Sequence, residues 1–163
     1  MVSAPTRFST VALRPIDETS SMADLHGIAK KFQYAGSFEE VLFPWRPGDK
    51  VDYLIDVRLR QKNITPSSRN TLAAIGIGLS LGLLSPVLGL KIIESHDVTF
   101  LVSDSTGELS RQSFSVSTEG RFGLGVDEAG FAKELDDAQI DTLSRELLHR
   151  VEKILNKHVA RKE

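Results

Sequence analysis

The ten residues Val51-Asp52-Tyr53-Leu54-Ile55-Asp56-Val57-Arg58-Leu59-Arg60 decide the class of this fold. Val51, Tyr53, Ile55, Val57 and Leu59 alternate with Asp52, Leu54, Asp56, Arg58 and Arg60. A strand sends successive side chains to opposite faces, so one face here is wholly apolar and the other is charged apart from Leu54. This alternation predicts a sheet with one covered face and one wet face, as antiparallel sheets commonly have. Cross-strand ion pairs would then hold the wet face. Asp52 and Asp56 are about 13 Å apart along such a strand, too far for two carboxylates to share acid and base work directly.

Before this stretch, Phe8 to Leu13 reads as a first strand, with Val11 and Leu13 on one face and Pro15 closing the run. Ser21 followed by Asp24 resembles a capping box. Met22, Leu25, Ile28, Ala29 and Phe32 then form one face of a helix over 22–35, ending near Gly36. Phe38 to Phe43 is apolar but of undetermined type, and Pro44 and Pro47 stop it. After the stretch, Val98, Phe100 and Val102 alternate, as do Phe114, Val116 and Thr118. Asp104-Ser105-Thr106-Gly107 between them is a turn signal, so the pair reads as an antiparallel hairpin. Residues 119–133, with Gly120, Gly123, Gly125 and Gly130, read as a loop. Asp136 and Gln139 suggest the cap of a last helix over 137–158, with Ile140, Leu143, Leu147, Val151, Ile154 and Leu155 as its apolar stripe. Acids gather at its start (Glu134, Asp136, Asp137, Asp141) and bases at its end (Arg150, Lys153, Lys157, Arg161, Lys162), complementing the helix dipole. The expected fold is α+β, a mostly antiparallel sheet with two helices packed on one face. Residues 1–163 are expected to form a single domain, with an apolar insertion at 71–90.

Composition narrows the function classes. Forty per cent of the 163 residues are hydrophobic and 26% charged, which is a globular and not a disordered balance. Lys and Arg number 20 against 22 Asp and Glu, a net charge of −2, which removes the main electrostatic reason to expect nucleic acid. No cysteine is present, so disulfides, thiolate metal sites and a cysteine nucleophile are excluded. Residues 1–70 carry 10 basic and 8 acidic residues and residues 91–163 carry 10 and 14, but residues 71–90 carry none.

That charge-free run, Thr71 to Leu90, is long enough to span a hydrocarbon core as a helix. Ala74, Gly78 and Gly82 would give it a face of small residues. Pro86 and the glycines oppose a helix, and a single pass would separate two halves that need a shared sheet. Three readings stay open: a hairpin or loop touching the domain, a membrane surface or a partner; a buried core element; or a spanning helix. Leu79, Leu81, Leu83, Leu84 and Pro86 are the candidate contact residues. Trp45, between Pro44 and Pro47, joins them either as a partner-facing indole or as a plug at the sheet edge.

The run Val51 to Val57, the segment Leu79-Ser80-Leu81-Gly82-Leu83-Leu84-Ser85-Pro86, and Val98 to Val102 ahead of Asp104 and Gly107 resemble a pattern in small bacterial cell-envelope lipoproteins. In these a strand of the form A-D-Y-x-x-x-V precedes a T-L-G-L-x-P segment and a hairpin strand. Val51 stands in place of the alanine, and an extra serine precedes Pro86. The likeness spans about residues 50–110 and implies location more than mechanism. It implies a periplasmic protein tethered to the outer membrane, if Met1 replaces a signal sequence and lipidated cysteine. Met1 to Thr10 has neither a basic start nor an apolar run, so the other expectation is cytoplasmic.

Signals for chemistry are sparse. Gly76, Gly78 and Gly82 follow G-x-G-x-x-x-G, one residue longer than the dinucleotide fingerprint. His26, His96, His149 and His158 stand at no metal-ligand spacing and are expected as solvated surface side chains. No G-x-S-x-G elbow occurs. The expectation is a non-catalytic envelope module that binds an envelope protein or a lipid surface through 71–90, with a homo-oligomer also open and with no catalytic residue, cofactor or metal. The alternative is a soluble cytoplasmic enzyme or ligand-binding domain whose site is assembled from dispersed residues.

Overall fold

The computed structural model describes residues 7–18, 20–66, 90–122 and 128–162. In chain order these form β1 (Phe8–Pro15), α1 (Met22–Ala35), β2 (Phe38–Leu42), β3 (Tyr53–Pro66), β4 (Leu90–Asp104), β5 (Gly107–Phe122) and α2 (Glu128–Val159). The strands make one five-stranded sheet in the order β2-β1-β3-β4-β5. The α+β class therefore stands, but the expected mostly antiparallel sheet does not.

The sheet is mixed. β1 pairs in parallel with β2 on one side, matching Phe8 to Phe38, and with β3 on the other, matching Val11 to Tyr53. α1 is the crossover that a parallel β1–β2 pair requires. The physical reason lies in Val11-Ala12-Leu13, three consecutive residues with no solvent exposure. A strand covered on both faces reads as a continuous apolar run and not as an alternation. The undetermined segment after Phe38 is the edge strand β2. β4 and β5 form the expected hairpin: Thr99 Oγ1 lies 3.0 Å from Ser113 Oγ, and Ser95 Oγ lies 3.0 Å from Ser117 Oγ. As the residue number rises on one strand it falls on the other, which is antiparallel register.

α1 keeps the expected limits. Ser21 Oγ accepts from the backbone N–H of Asp24 at 3.3 Å, and Gly36 ends the helix at φ 72° in the left-handed region. The last helix begins earlier than expected. It runs from Glu128, so Asp136 and Gln139 lie inside it and cap nothing, and Gly130 is helical and not part of a loop. β5 likewise extends through Gly120 to Phe122. A lone glycine weakens a helix or strand by about 1 kcal/mol and does not end one when packing holds it.

The chain divides into two compact units. The first holds residues up to Arg60, Asp97–Phe114 and Ile140 onward; the second holds Gln61–His96 and Ser115–Gln139. In the first, Ile55, Val57 and Leu59 form the buried face of β3, joined by Val98, Phe100 and Val102 of β4. Leu25, Ile28 and Phe32 of α1 and Leu143, Leu147, Val151 and Leu155 of α2 are also buried there. The two helices meet closely: a Cβ added at Gly27 would sit 3.0 Å from Cγ2 of Ile140, and Lys31 Nζ is 2.9 Å from Asp141. In the second unit Val116 is buried beside the polar residues Glu94, His96, Thr118 and Gln139. No described helix is long and apolar enough to cross a membrane.

Leu147 is 1% exposed, so Leu147→Ala is expected to cost about 2–5 kcal/mol as a core truncation. Urea unfolding should show this as a lower midpoint at an unchanged slope.

Candidate functional site

The charged face of β3 is more buried than its sequence suggests. Asp56 is only 6% exposed, because its register partner across β1 is Arg14. Arg14 Nε donates to Asp56 Oδ1 at 2.5 Å and Nη2 donates to Oδ2 at 2.9 Å, a two-pronged match of planar fork and carboxylate. The hydrogen bond from Arg14 to Asp56 raises the arginine pKa still further above its ordinary value. Arg58 Nε lies 2.5 Å from Asp17 Oδ2, an ion pair made without the forked hydrogen bonding of Arg14. The expected cross-strand ion pair exists, but it sits under cover and not on a wet surface.

Trp45 supplies part of that cover. The turn that carries it holds a cis Phe43–Pro44 bond and Gly48 at φ 104°, and Arg46 N–H donates to Asp49 Oδ2 at 2.8 Å. The indole is half-buried, with the Arg14 guanidinium 5.0 Å from its ring centroid, a cation–π contact. Its Nε1–H is buried and has no hydrogen-bond partner among the described residues. Beside this group lies a cavity of about 220 Å³ whose lining includes Arg14, Arg58, Arg111, Asp56 and Thr99. Arg14 and Arg58 are neutralised by Asp56 and Asp17, and Arg111 lies 3.7 Å from Glu108. The cavity is thus rich in arginine, but each of these cations already has an acid beside it.

The histidines do not share one environment. His26 is exposed on α1, 5.9 Å from the Phe43 ring, and His149 is exposed on α2. His96 departs from the expectation of a solvated side chain, being 7% exposed. The Gln139 amide nitrogen lies 2.8 and 2.7 Å from its ring nitrogens, and the buried Glu94 carboxylate is 3.9 Å from Nε2. Glu94 and His96 share the inward face of β4, where a polar pair continues the line of Val98 and Phe100. Sequence reasoning missed this cluster because Gln139 reaches it from a helix 43 residues away. No three metal-ligating side chains converge among the described residues.

His158 sits at the β4–β5 turn. Its Nε2 is 3.0 Å from Asp104 Oδ2, and Lys162 Nζ is 3.5 Å from the same oxygen. Asp104 also accepts from the hydroxyl of Thr106 at 2.5 Å and from its backbone N–H at 2.8 Å. These bonds, with Lys162 and His158 nearby, hold the Asp104 carboxyl down at about 2. A second cavity, about 360 Å³, lies between the start of β5 and the C-terminal half of α2. Leu79, Leu81, Leu83, Leu84 and Pro86 lie outside the described residues.

The structure is similar to solved proteins at low sequence identity. A Xanthomonas campestris protein of the DUF330 family aligns at a TM-score of 0.55 with 10% identity, covering 96% of this chain and 90% of that one. A Caulobacter crescentus protein taken to be a lipoprotein aligns at a TM-score of 0.52 with 10% identity, covering 94% and 92%. The fold is therefore one found among small lipoproteins of Gram-negative bacteria. No family model matches the sequence. No curated protein sequence matches it either.

Two outcomes follow from the site's electrostatics. Arg14→Ala leaves the Asp56 carboxylate buried without its partner and is expected to cost about 1–3 kcal/mol, moderated by water because Arg14 is 40% exposed. Replacing both residues by leucine should cost less than Arg14→Ala alone, as urea unfolding would show. Asp104 has a depressed pKa when folded, so it adds stability above its unfolded pKa that is lost as pH falls toward about 2. Asp104→Asn should flatten the stability profile between about pH 4 and pH 2, read as the unfolding midpoint at each pH.

Proposed function

We propose that this chain is the globular module of a cell-envelope lipoprotein and that it works by binding, with Leu79, Leu81, Leu83, Leu84 and Pro86 as the contact. The observation that carries the reading is a charge-free run of 20 residues, 71–90, entered from β3 and left into β4. β3 and β4 are neighbours in one sheet, so the chain before the run and the chain after it share that sheet. A single membrane pass that separated the two halves would break this pairing. An apolar run that returns to the sheet it left suits a membrane surface or a protein partner. The likeness to the Caulobacter protein supports the envelope setting, and the proposal sets the chain in the periplasm at the outer membrane.

The non-catalytic part of the proposal rests on the polar groups. His96, Glu94 and Gln139 are each less than 10% exposed and line neither of the two cavities described above. In the arginine-lined cavity the lining carboxylate, Asp56, is engaged by the Arg14 guanidinium and is a poor candidate for a free general base.

Co-sedimentation with phosphatidylglycerol-containing liposomes tests the reading. The intact chain is expected to pellet with the vesicles, and Leu81→Ser/Leu83→Ser/Leu84→Ser is expected to stay in the supernatant. Equal pelleting of both proteins would remove the membrane-surface form of the proposal.

A further inference from the structure

The groove beside β5 has a charge pattern that the binding reading above does not use. α2 presents two rows to it. Glu146, Arg150, Ile154 and His158 are half-buried: Arg150 Nε is 2.7 Å from Glu146 and its guanidinium lies 4.8 Å from the Phe114 ring centroid, while His158 meets Asp104. The outer row is His149, Lys153, Lys157 and Arg161. All four are exposed, and none makes an ion pair with another described residue. Among the described residues the only acid in the groove lining, Glu146, is taken by Arg150.

The opposite wall is Leu109, Ser110 and Gln112 of β5. β5 is last in the strand order, so one side of its backbone has no strand partner among the described residues. The helix runs alongside it in the opposite sense, since Arg150 stands at Phe114 and His158 at Asp104. An open backbone edge and a row of basic side chains without an ion partner among the described residues therefore lie next to each other along the groove.

We infer that this groove binds an extended acidic peptide, which adds as a strand to the free edge of β5 and sets its alternate side chains against His149, Lys153, Lys157 and Arg161. The spacing supports it. Residues four apart on a helix rise by about 6 Å. Residues two apart on a strand, which face the same way, are about 6.7 Å apart. Each second acidic side chain of the peptide thus meets the next turn of the helix. From His149 to Arg161 the row spans about 18 Å, the length of five or six extended residues, whereas a compact phosphate would engage only one turn. Strand addition gives the main-chain hydrogen bonds and the basic row gives the selectivity. A second copy of the same edge would bring a second basic row, so like charge opposes self-pairing.

The test is fluorescence anisotropy with a labelled heptapeptide carrying glutamate at every second position, TEVEVET, and the full chain. Binding that weakens as salt rises is expected, with about a tenfold loss in Lys153→Glu/Lys157→Glu from two attractions turned to repulsions. Lys153→Ala/Lys157→Ala should lose less, and unchanged far-UV circular dichroism shows that both variants fold. A peptide N-methylated at alternate amides should fail to bind, because it cannot complete the ladder. Equal binding of the N-methylated peptide, equal binding by the Glu variant, or no binding by the intact chain would each overturn the proposal. Displacement of the peptide by polyphosphate of similar length at equal concentration would overturn it too, since that would mark a site for any polyanion.

Discussion

The parallel pairing of β1 with β3 is the constraint on which the rest depends. It matches Arg14 with Asp56 and Leu13 with Ile55, joining residues 42 apart in the chain. Once β1 is held there, α1 must cross over to return the chain for β2, and Phe32 and Phe38 stack with ring centroids 5.9 Å apart. The Arg14–Asp56 pair gives this pairing its register. A slip by one residue would place the buried carboxylate opposite a neighbour of Arg14 and turn each alternating side chain of β3 to the wrong face. Apolar burial supplies the drive and the ion pair supplies the uniqueness, since a buried carboxylate tolerates few alternatives.

Much of this was legible in the residues, and the failures share a cause. Ile55, Val57 and Leu59 announced a covered face, and Ser21 with Gly36 marked both ends of α1. These are local signals, written in alternation and in caps. Val11 and Leu13 alone suggest one face of an ordinary strand, but Val11-Ala12-Leu13 is the run of three consecutive apolar residues that a strand covered on both sides requires. Gln139 suggests a cap because D-x-x-Q is a local pattern, while its real partner is His96, on another element. Alternation alone puts Asp56 on a wet face, because nothing near it in sequence reveals Arg14. In each case the deciding contact is distant along the chain, where periodicity carries no information.

The candidate site was legible in kind and less so in place. Trp45 stood out as a lone indole between two prolines, and it does engage a cation, but that cation belongs to its own chain. The basic residues at the end of α2 were explained by the helix dipole, which accounts for their sign. It does not account for their alignment into one outer row beside an open strand edge. That alignment arises only when α2 lies along β5, with Arg150 over Phe114 and His158 at Asp104. The molecule thus joins a firmly paired sheet to a basic groove along its β5 edge.

Native-state amide hydrogen exchange measures the central constraint most directly. A strand paired on both sides opens only when the whole unit unfolds, so the amides of Val11, Ala12 and Leu13 should exchange as slowly as the most protected amides of the chain. The amides of the edge strand β2 should exchange faster. Fast exchange at Val11 to Leu13, matching β2 while the β4–β5 hairpin stays protected, would contradict the placement of β1 between two parallel partners.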